Sequence, residues 1–276
     1  MQLTQSRDGA SLTHLVVKEQ EREQRVFQIK VVVSWIALFA ILLLLFSGLQ
    51  IGDFHTIQLD GSFIQEWAPF ISEGVLITLE ICFVSIFFAS ILALLAALGR
   101  LSHIAPLYAL STFYVSLIRG TPLLLQIFFF FLALPQLGIV LPGFVAGTIA
   151  LSLNYGAYMS EIFRAGIQGV GKGQREAALA LGMTAGQTMR RIVLPQAFRF
   201  VVPPVGNEFI AMLKDSSLVS TTGFVQDILW RAQKVGRANF HTLEALLVAA
   251  AWYWVLTLIF SAVQARLEKR LAQGDR

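Results

Sequence analysis

The residues with the clearest chemical potential in this sequence are ionisable groups set inside long apolar runs. A charge at the centre of a bilayer costs about 2.5–3.5 kcal/mol on insertion scales, so such a group usually faces a partner or a water-filled cavity. The set consists of Glu80, Arg119, Glu161, Arg164, Glu208, Lys214 and Asp215. Charges in these positions predict a polar, ligand-binding interior.

Two kinds of role are predicted for these groups. Glu80 and Glu208 are the acidic candidates for holding an ammonium group, and Asn154 and Asn207 are the neutral ones. Which of the four faces a substrate path is left open by the sequence. Arg119, Glu161 and Arg164 are interpreted as structural charges, because Glu161 and Arg164 are three residues apart and can pair on one helix face.

Catalysis is not indicated. No Ser/His/Asp or Glu/His set has a spacing that would support it, and the single cysteine, Cys82, leaves neither an internal disulfide nor a Cys-rich metal motif. Gly166, Gly171 and Lys172 approach a phosphate-binding loop, but Gly173 stands where Ser or Thr is needed and no strand precedes it. We expect no metal and no cofactor in this chain.

The elements that position these groups are membrane-spanning helices. The chain is 56% hydrophobic and 14% charged, whereas soluble domains carry about 25% charged residues. A spanning helix needs about 20 apolar residues. The apolar runs are 31–49, 74–98, 104–134, 143–163, 201–222 and 243–263. The predicted fold class is therefore all-α, a polytopic transmembrane bundle of about six spans.

The third run is too long for one simple helix. It contains Arg119-Gly120-Thr121-Pro122, and proline both removes a backbone donor and clashes with the carbonyl four residues back. We expect an amphipathic piece before this break and a crossing after it.

The predicted order begins with a polar tail at 1–30, an extra helix at 31–49 and a polar loop at 50–73. A cleaved signal peptide is the rival interpretation of the first run, but its apolar core would be shorter, and residues 47–50 make a poor cleavage site. The remaining unit is 74–270, with a polar loop at 168–200.

Orientation follows from lysine and arginine, which accumulate in cytosolic loops. With the N-terminus inside, residues 1–30 carry five of them, residues 164–199 carry six and the C-terminal tail carries four. The outer segments 50–70 and 135–142 carry none, and 223–241, with three, runs against the rule. The bias places both termini in the cytosol and accounts for the net charge of +4 without nucleic acid.

The loop at 168–200 is predicted to form two short helices with a bend. Ala177 to Leu181 are strong helix formers, and Gly182 suits a left-handed cap. Thr184 and Gln187 fit a capping box for the second helix, which Pro195 would end. The alternatives are an ordinary amphipathic loop and a rigid lever that fits a groove on a partner.

The same loop resembles the EAA motif of bacterial ABC importer permeases. The matching residues are Glu176-Ala177-Ala178, Gly182 after three residues, and Ile192-x-Leu194-Pro195 after nine more. Flanking segments resemble the polar amino-acid uptake group of this family, the histidine, glutamine, glutamate and arginine type. They are Arg119 to Leu124 with Gln126, Gly156-Ala157-Tyr158 with Glu161 and Arg164, and Lys214 to Ser220.

The resemblance implies a permease subunit that forms the translocation path for a polar amino acid. It implies a second permease subunit, identical or homologous, and an ABC ATPase dimer that carries the ATP and Mg. It also implies an extracytoplasmic substrate-binding protein, the bacterial inner membrane and the surrounding lipid as environment. Glu176, Ala177, Ala178 and Gly182 would contact the ATPase. Family members usually have five spans, so the helix at 31–49 is an addition.

The main alternative is a secondary transporter or channel that works without an ATPase. Such a protein would show paired half-repeats with breaks at matching positions, and only the break near Pro122 is visible. A structural membrane scaffold would not need the motif-rich loop.

Overall fold

The computed structural model describes residues 5–51 and 54–272. Residues 1–4 of the predicted tail, 52–53 of the predicted loop and 273–276 of the C-terminal tail lie outside this description. The chain divides into two compact units, residues 1–61 and 62–276.

The first unit is a long helix followed by two short antiparallel strands. Helix α1 (Gln5–Leu45) is continuous, so the predicted boundary between tail and span at residue 31 is not a structural break. Strands β1 (Gln50–Ile51) and β2 (Phe54–His55) pair with Gln50 opposite His55. The predicted polar loop at 50–73 is therefore not irregular throughout, because it contains these two strands and a helix at Gly61–Ser72.

The second unit is a helical bundle. Its α-helices are α2 (Gly61–Ser72), α3 (Gly74–Arg100), α4 (Ala105–Arg119), α5 (Leu123–Phe128), α6 (Gly143–Gly169), α7 (Lys172–Ala180), α8 (Ala185–Thr188), α9 (Leu194–Asp215), α10 (Ile228–Ala238) and α11 (Thr242–Ala272). Two π-helical turns, Phe129–Ala133 and Met189–Val193, and two 3₁₀ segments, Leu134–Leu137 and Ser216–Thr222, lie between them.

Helices α3 and α6 form the most extensive pair, and small residues let them approach closely. Ala89, Ala93 and Ala150 are fully buried. A Cβ added at Gly156 would lie 2.9 Å from the Cβ of Leu92. This close contact makes α3 and α6 the frame against which the more polar elements are placed.

The predicted break in the third run is confirmed. Helix α4 and the continuation Leu123–Leu137 are bent by 104°. Pro122, with ψ 140°, is extended and stands immediately before α5. The residue before a helix normally has such a conformation.

Within the described residues, three helical stretches are long and apolar enough to cross a membrane by themselves, and the bent pair adds a fourth. They cover residues 18–45, 61–100 and 242–271. Helices α6 and α9 have 27 and 22 residues, and at about 1.5 Å per residue each can also span the hydrocarbon core. Both helices carry charged residues, so they are less apolar than the other spans. The three apolar stretches, the bent pair, α6 and α9 together make six crossings, which agrees with the prediction of about six spans.

Two predicted boundaries were wrong. The fifth span begins at Leu194, not Val201, and Pro195 lies in its first turn. The π-helical turn Met189–Val193 leads directly into α9, so Pro195 lies within a helix that continues from α8 into α9 and does not end the second loop helix. The outer segment 223–241 is also largely helical, since α10 occupies it.

Helix α10 begins at Asp227, whose Oδ1 accepts a hydrogen bond from the Trp230 backbone N–H at 2.8 Å. Asp227 is 1% exposed. Burial raises the pKa of its carboxyl to about 7, while the Trp230 amide acts in the opposite direction. Asp227 lies in the segment between α9 and α11, and its cap directs the chain back toward the bundle.

We predict that Asp227 makes stability pH-dependent. Because its pKa is raised in the folded chain, the folded state keeps a proton that the unfolded chain releases from about pH 4 upward. The free energy of unfolding should therefore fall as pH rises through this window toward the folded pKa of about 7. Asp227→Asn retains the cap and should flatten the profile. Asp227→Ala lacks both the titrating carboxyl and the cap, so its profile should be equally flat and about 1 kcal/mol less stable than that of Asp227→Asn.

Thermal unfolding of the detergent-purified chain across this pH range measures both effects. An Asn variant whose melting temperature declines with pH as steeply as that of the parent chain would contradict the assignment.

Candidate functional site

The loop at 168–200 contains a complete helix C-cap. Gly182 has φ +77°, a conformation that glycine adopts at little cost. Its N–H donates to the Leu179 carbonyl at 2.9 Å, and the Met183 N–H donates to the Ala178 carbonyl at 3.1 Å. These two bonds form the Schellman motif that ends α7.

A capping box begins the next helix. The Gln187 N–H donates to Thr184 Oγ1 at 3.3 Å, and the Thr184 N–H donates to Gln187 Oε1 at 2.9 Å. Helix α8 is short and continues through the π-helical turn directly into α9. The second loop helix is thus mechanically continuous with a membrane span, and movement of the loop must move α9.

The base of the loop is anchored by a small apolar cluster. Ile167, Val170, Val193 and Ala197 are buried together. The Arg175 guanidinium also donates to the Ile167 carbonyl. The loop is therefore held at both ends by packing as well as by its caps.

Three of the four predicted docking residues lie at the surface. Glu176, Ala177 and Gly182 are exposed, whereas Ala178 is 3% exposed. Ala178 therefore packs beneath the surface and is not available for a side-chain contact with another protein, because its position on α7 faces inward. Leu179 and Leu181, which were not among the predicted docking residues, are 55% and 83% exposed beside Gly182.

A cavity of about 400 Å³ brings together residues from the broken helix, α6 and α9. Its polar lining includes Asn154, Tyr155, Glu208 and Asp215. Asn154 and Glu208, two of the four predicted path residues, thus share one cavity. Glu80 and Asn207 are exposed on α3 and α9 and do not line it.

The acidic groups in this cavity are positioned differently. Asp215 Oδ2 accepts a hydrogen bond from the Tyr155 hydroxyl at 2.8 Å, which fixes its side chain at the end of α9. Glu208 lies two turns earlier on the same helix and is half-buried. No Lys or Arg is among the residues that line the cavity. Two carboxyl groups and a carboxamide make it suited to a cation such as an ammonium group.

Gln126 positions Asn154 and also stabilises the helix break. Its Nε2 donates to the carbonyl of Ile118 at 2.9 Å and to that of Thr121 at 3.1 Å. Its Oε1 accepts from Asn154 Nδ2 at 3.2 Å. A buried amide thus pairs carbonyls at the break and orients a cavity residue.

The structural charges form a cluster around Glu161. Arg164 donates to Glu161 Oε2 through Nε at 3.0 Å and through Nη2 at 2.9 Å. Arg100 and Arg119 both reach Oε1, at 2.5 Å and 3.3 Å. Arg100 was not predicted to belong to this cluster, because it ends α3 and is distant in sequence from the other three residues.

Comparison with known proteins places this geometry in a family. The family model described as the binding-protein-dependent transport system inner membrane component matches residues 89–273. The L-cystine transport system permease protein TcyB of Bacillus subtilis (strain 168) is 43% identical over 208 residues, which cover 75% of this chain and 88% of that protein. The arginine transport system permease protein ArtQ of the same organism is 42% identical over 208 residues, covering 75% and 94%.

Solved structures of ABC transporters align with this chain as well. The crystal structure of an amino acid ABC transporter with histidines aligns with a TM-score of 0.73 and 38% identity, covering 77% of this chain and 99% of that one. An inward-facing MetNI methionine ABC transporter aligns with a TM-score of 0.60 at 19% identity, which supports the fold alone. The apolar helices are those of a multi-pass protein of the bacterial inner membrane. The chain belongs to the family of binding-protein-dependent transport system inner membrane components.

Proposed function

We propose that this chain is the permease subunit of an ATP-binding cassette importer for polar amino acids. The observation that carries the proposal is the capped, exposed loop 172–188, built on the EAA motif and continuous with α9. A loop that is rigid and joined to a span can transmit a rigid-body movement, whereas a mobile loop cannot. Named relatives that transport amino acids support the same conclusion.

The partners follow from this role. A separate ABC ATPase dimer binds ATP and Mg and receives the loop. An extracytoplasmic binding protein delivers the amino acid, and a second permease subunit completes the path. Lysine and arginine distribution supports an orientation in which both termini and the loop at 168–200 are cytosolic.

The docking surface consists of Glu176, Ala177, Leu179, Leu181 and Gly182. Leu179 and Leu181 are large apolar side chains that water surrounds on an otherwise polar loop. Burying them against a partner is favourable by about 25 cal/mol per Å² of apolar surface. Gly182 exposes its backbone with no neighbouring atom within 4 Å of an added Cβ, so a partner can approach closely there.

In this proposal the acidic cavity is a binding site for the amino acid on the translocation path. Every α-amino acid carries an ammonium group, and Glu208 and Asp215 supply the opposite charge. Asn154 can accept a hydrogen bond from the same ammonium or donate one to the carboxylate. The closeness of the cavity to the helix break at Pro122 links it to the most easily deformed part of the bundle.

The docking surface predicts that Leu181→Arg removes the ATPase. A charged side chain would have to be buried without a partner at the contact. Co-purification of the ATPase with the tagged chain should fall to background, while the chain still inserts and purifies. Leu137→Arg is the matched control, because Leu137 is 74% exposed in the 3₁₀ segment after α5. Equal loss in both variants, or retention in Leu181→Arg, would count against the docking surface.

The cap predicts that Gly182→Ala weakens coupling. An alanine at φ +77° costs about 1 kcal/mol in the left-handed region and favours straightening of the loop. Transport per ATP hydrolysed in reconstituted vesicles should fall. Gly182→Asn tolerates this conformation and should retain more coupling. Gly173→Ala, an open position inside α7, serves as the control. If transport per ATP stays unchanged in Gly182→Ala, the cap is not needed for coupling.

The cavity predicts that Glu208→Gln weakens amino-acid binding. Loss of a charge-assisted hydrogen bond worth about 1.5–3 kcal/mol corresponds to at least tenfold. Equilibrium binding of radiolabelled arginine and glutamine to the purified complex measures the effect. Glu80→Gln makes the same chemical change on the exposed face of α3 and should bind normally. If Glu208→Gln bound both amino acids normally, the cavity would not be part of the translocation path.

A further inference from the structure

A second cavity, of about 400 Å³, shares Tyr158 with the acidic cavity but has the opposite charge. Arg100 and Arg119 line it, together with the hydroxyl-bearing residues Thr112 and Ser116. The two cavities thus divide the charges of the bundle interior into an acidic and a basic chamber. The basic chamber has no role in the function proposed above.

Positive charge is in excess in this chamber. Glu161 is the one acidic residue that lines it, and its two oxygens face Arg100, Arg119 and Arg164. Arg100 and Arg119 also lie in the last turns of α3 and α4, where the helix dipoles contribute about half a negative charge each. Arg164 does not line the chamber but pairs with Glu161 from outside it, so that three guanidinium groups in total face one carboxylate and two helix ends.

Hydrogen-bond donors are also in excess. Each guanidinium has five N–H donors, and Arg100 and Arg119 each direct one nitrogen, Nη1, at Glu161. The Arg119 side chain is 42% exposed and lies over the Tyr158 ring, 5.1 Å from its centre. The ring lies against the planar guanidinium, whose Nη1 donates to Glu161. Arginine forks of this kind match the oxygens of a phosphate group.

A neutral donor completes the lining. Thr112 Oγ1 is buried and has no hydrogen-bond partner in the part of the chain that the structure describes. A buried hydroxyl without a partner costs free energy, and a ligand oxygen would relieve that cost once the Thr112 side chain turned its Oγ1 into the chamber.

Helix α4, which supplies Thr112, Ser116 and Arg119 to the chamber, also has an exposed apolar surface. Helix α4 follows the end of α3 after a turn of four residues, and its outward face carries Leu107, Leu110, Phe113 and Leu117, which are 46–67% exposed. An exposed apolar helix face next to a basic chamber is typical of a membrane interface. Basic pockets between membrane helices at that level bind phospholipid headgroups.

We propose that Arg100, Arg119 and Thr112 form a binding site for a phosphate group, carried by the headgroup of an anionic phospholipid next to α4. A free phosphate ion has the same chemistry and would use the same donors. Arg164 and Glu161 hold the two lining arginines in place. None of these three residues lines the acidic cavity, which adjoins the chamber at Tyr158. Only the identity of the leaflet, the cytosolic one, rests on the orientation proposed above.

The test uses the full-length chain in detergent and counts bound lipids by native mass spectrometry. Phosphatidylglycerol should bind roughly tenfold more tightly than phosphatidylcholine, whose ammonium the arginines repel. Arg119→Gln removes a charged donor and should weaken phosphatidylglycerol binding by about tenfold. Thr112→Val should weaken it by a smaller factor, and Arg119→Lys should restore part of it. Arg266→Gln, an exposed arginine on α11, is the matched control and should bind normally.

A second arm separates the two sources of phosphate. If millimolar inorganic phosphate displaces phosphatidylglycerol from the parent chain, but not from Arg119→Gln, the free ion is the stronger ligand at this same site. If phosphate has no effect, the lipid headgroup is the ligand. Equal lipid retention in Arg119→Gln and the parent chain, or equal loss in Arg266→Gln, overturns the proposal. Lipid binding is measured without ATP or amino acid, so its failure leaves the importer function untouched.

Discussion

The bundle depends on satisfying the backbone at a helix that is broken inside a membrane. Lipid offers no hydrogen bonds, so a carbonyl freed by the bend near Pro122 needs a partner within the protein. The Gln126 amide supplies it by donating to Ile118 and Thr121 across the break. The same side chain accepts from Asn154. One buried carboxamide thus makes the bend possible and places a cavity residue.

Close packing of α3 and α6 sets the rest of the interior. Small residues on both helices remove the bulk that would otherwise separate them, and Gly147 of α6 lies against Val219 of the 3₁₀ segment, where an added Cβ would be 2.3 Å away. Helix α9 is then held beside α6, with Glu208 and Asp215 pointing to the cavity. The charged groups are expensive in the membrane individually, and they persist because the bundle divides them into two separate polar chambers.

The path from loop to cavity is continuous in structure. Helix α8 leads without interruption through a π-helical turn into α9, and α9 carries Glu208. A displacement at Gly182 therefore has a stiff route to the acidic cavity. The apolar cluster around Ile167 and Val193 packs the loop against the ends of α6 and α9, which stiffens this connection.

Many local features of this fold could be predicted from the sequence. Apolar runs predicted the spans, the Gly-Thr-Pro segment predicted the break, and the spacing of Gly182, Thr184 and Gln187 predicted both loop caps. These features depend on residues close together in the chain, where backbone sterics and local hydrogen bonds act regardless of the remainder of the fold. The misassigned role of Pro195 shows the limit of local reasoning, because proline can either follow one helix or open the next.

Contacts between distant residues were decided by the tertiary structure alone. From the sequence, Glu80 and Glu208 were equally good candidates for holding an ammonium group. Only the packing of the helices places Glu208 in a cavity and Glu80 on an exposed face. Ala178 matched the motif as well as Ala177, yet the rotation of α7 buried one and exposed the other. The meeting of Arg100, Arg119 and Glu161 spans 61 residues. The sequence determined the helices and their ends, because those arise from neighbours along the chain, while the fold decided which side chains meet, because that depends on how the helices pack.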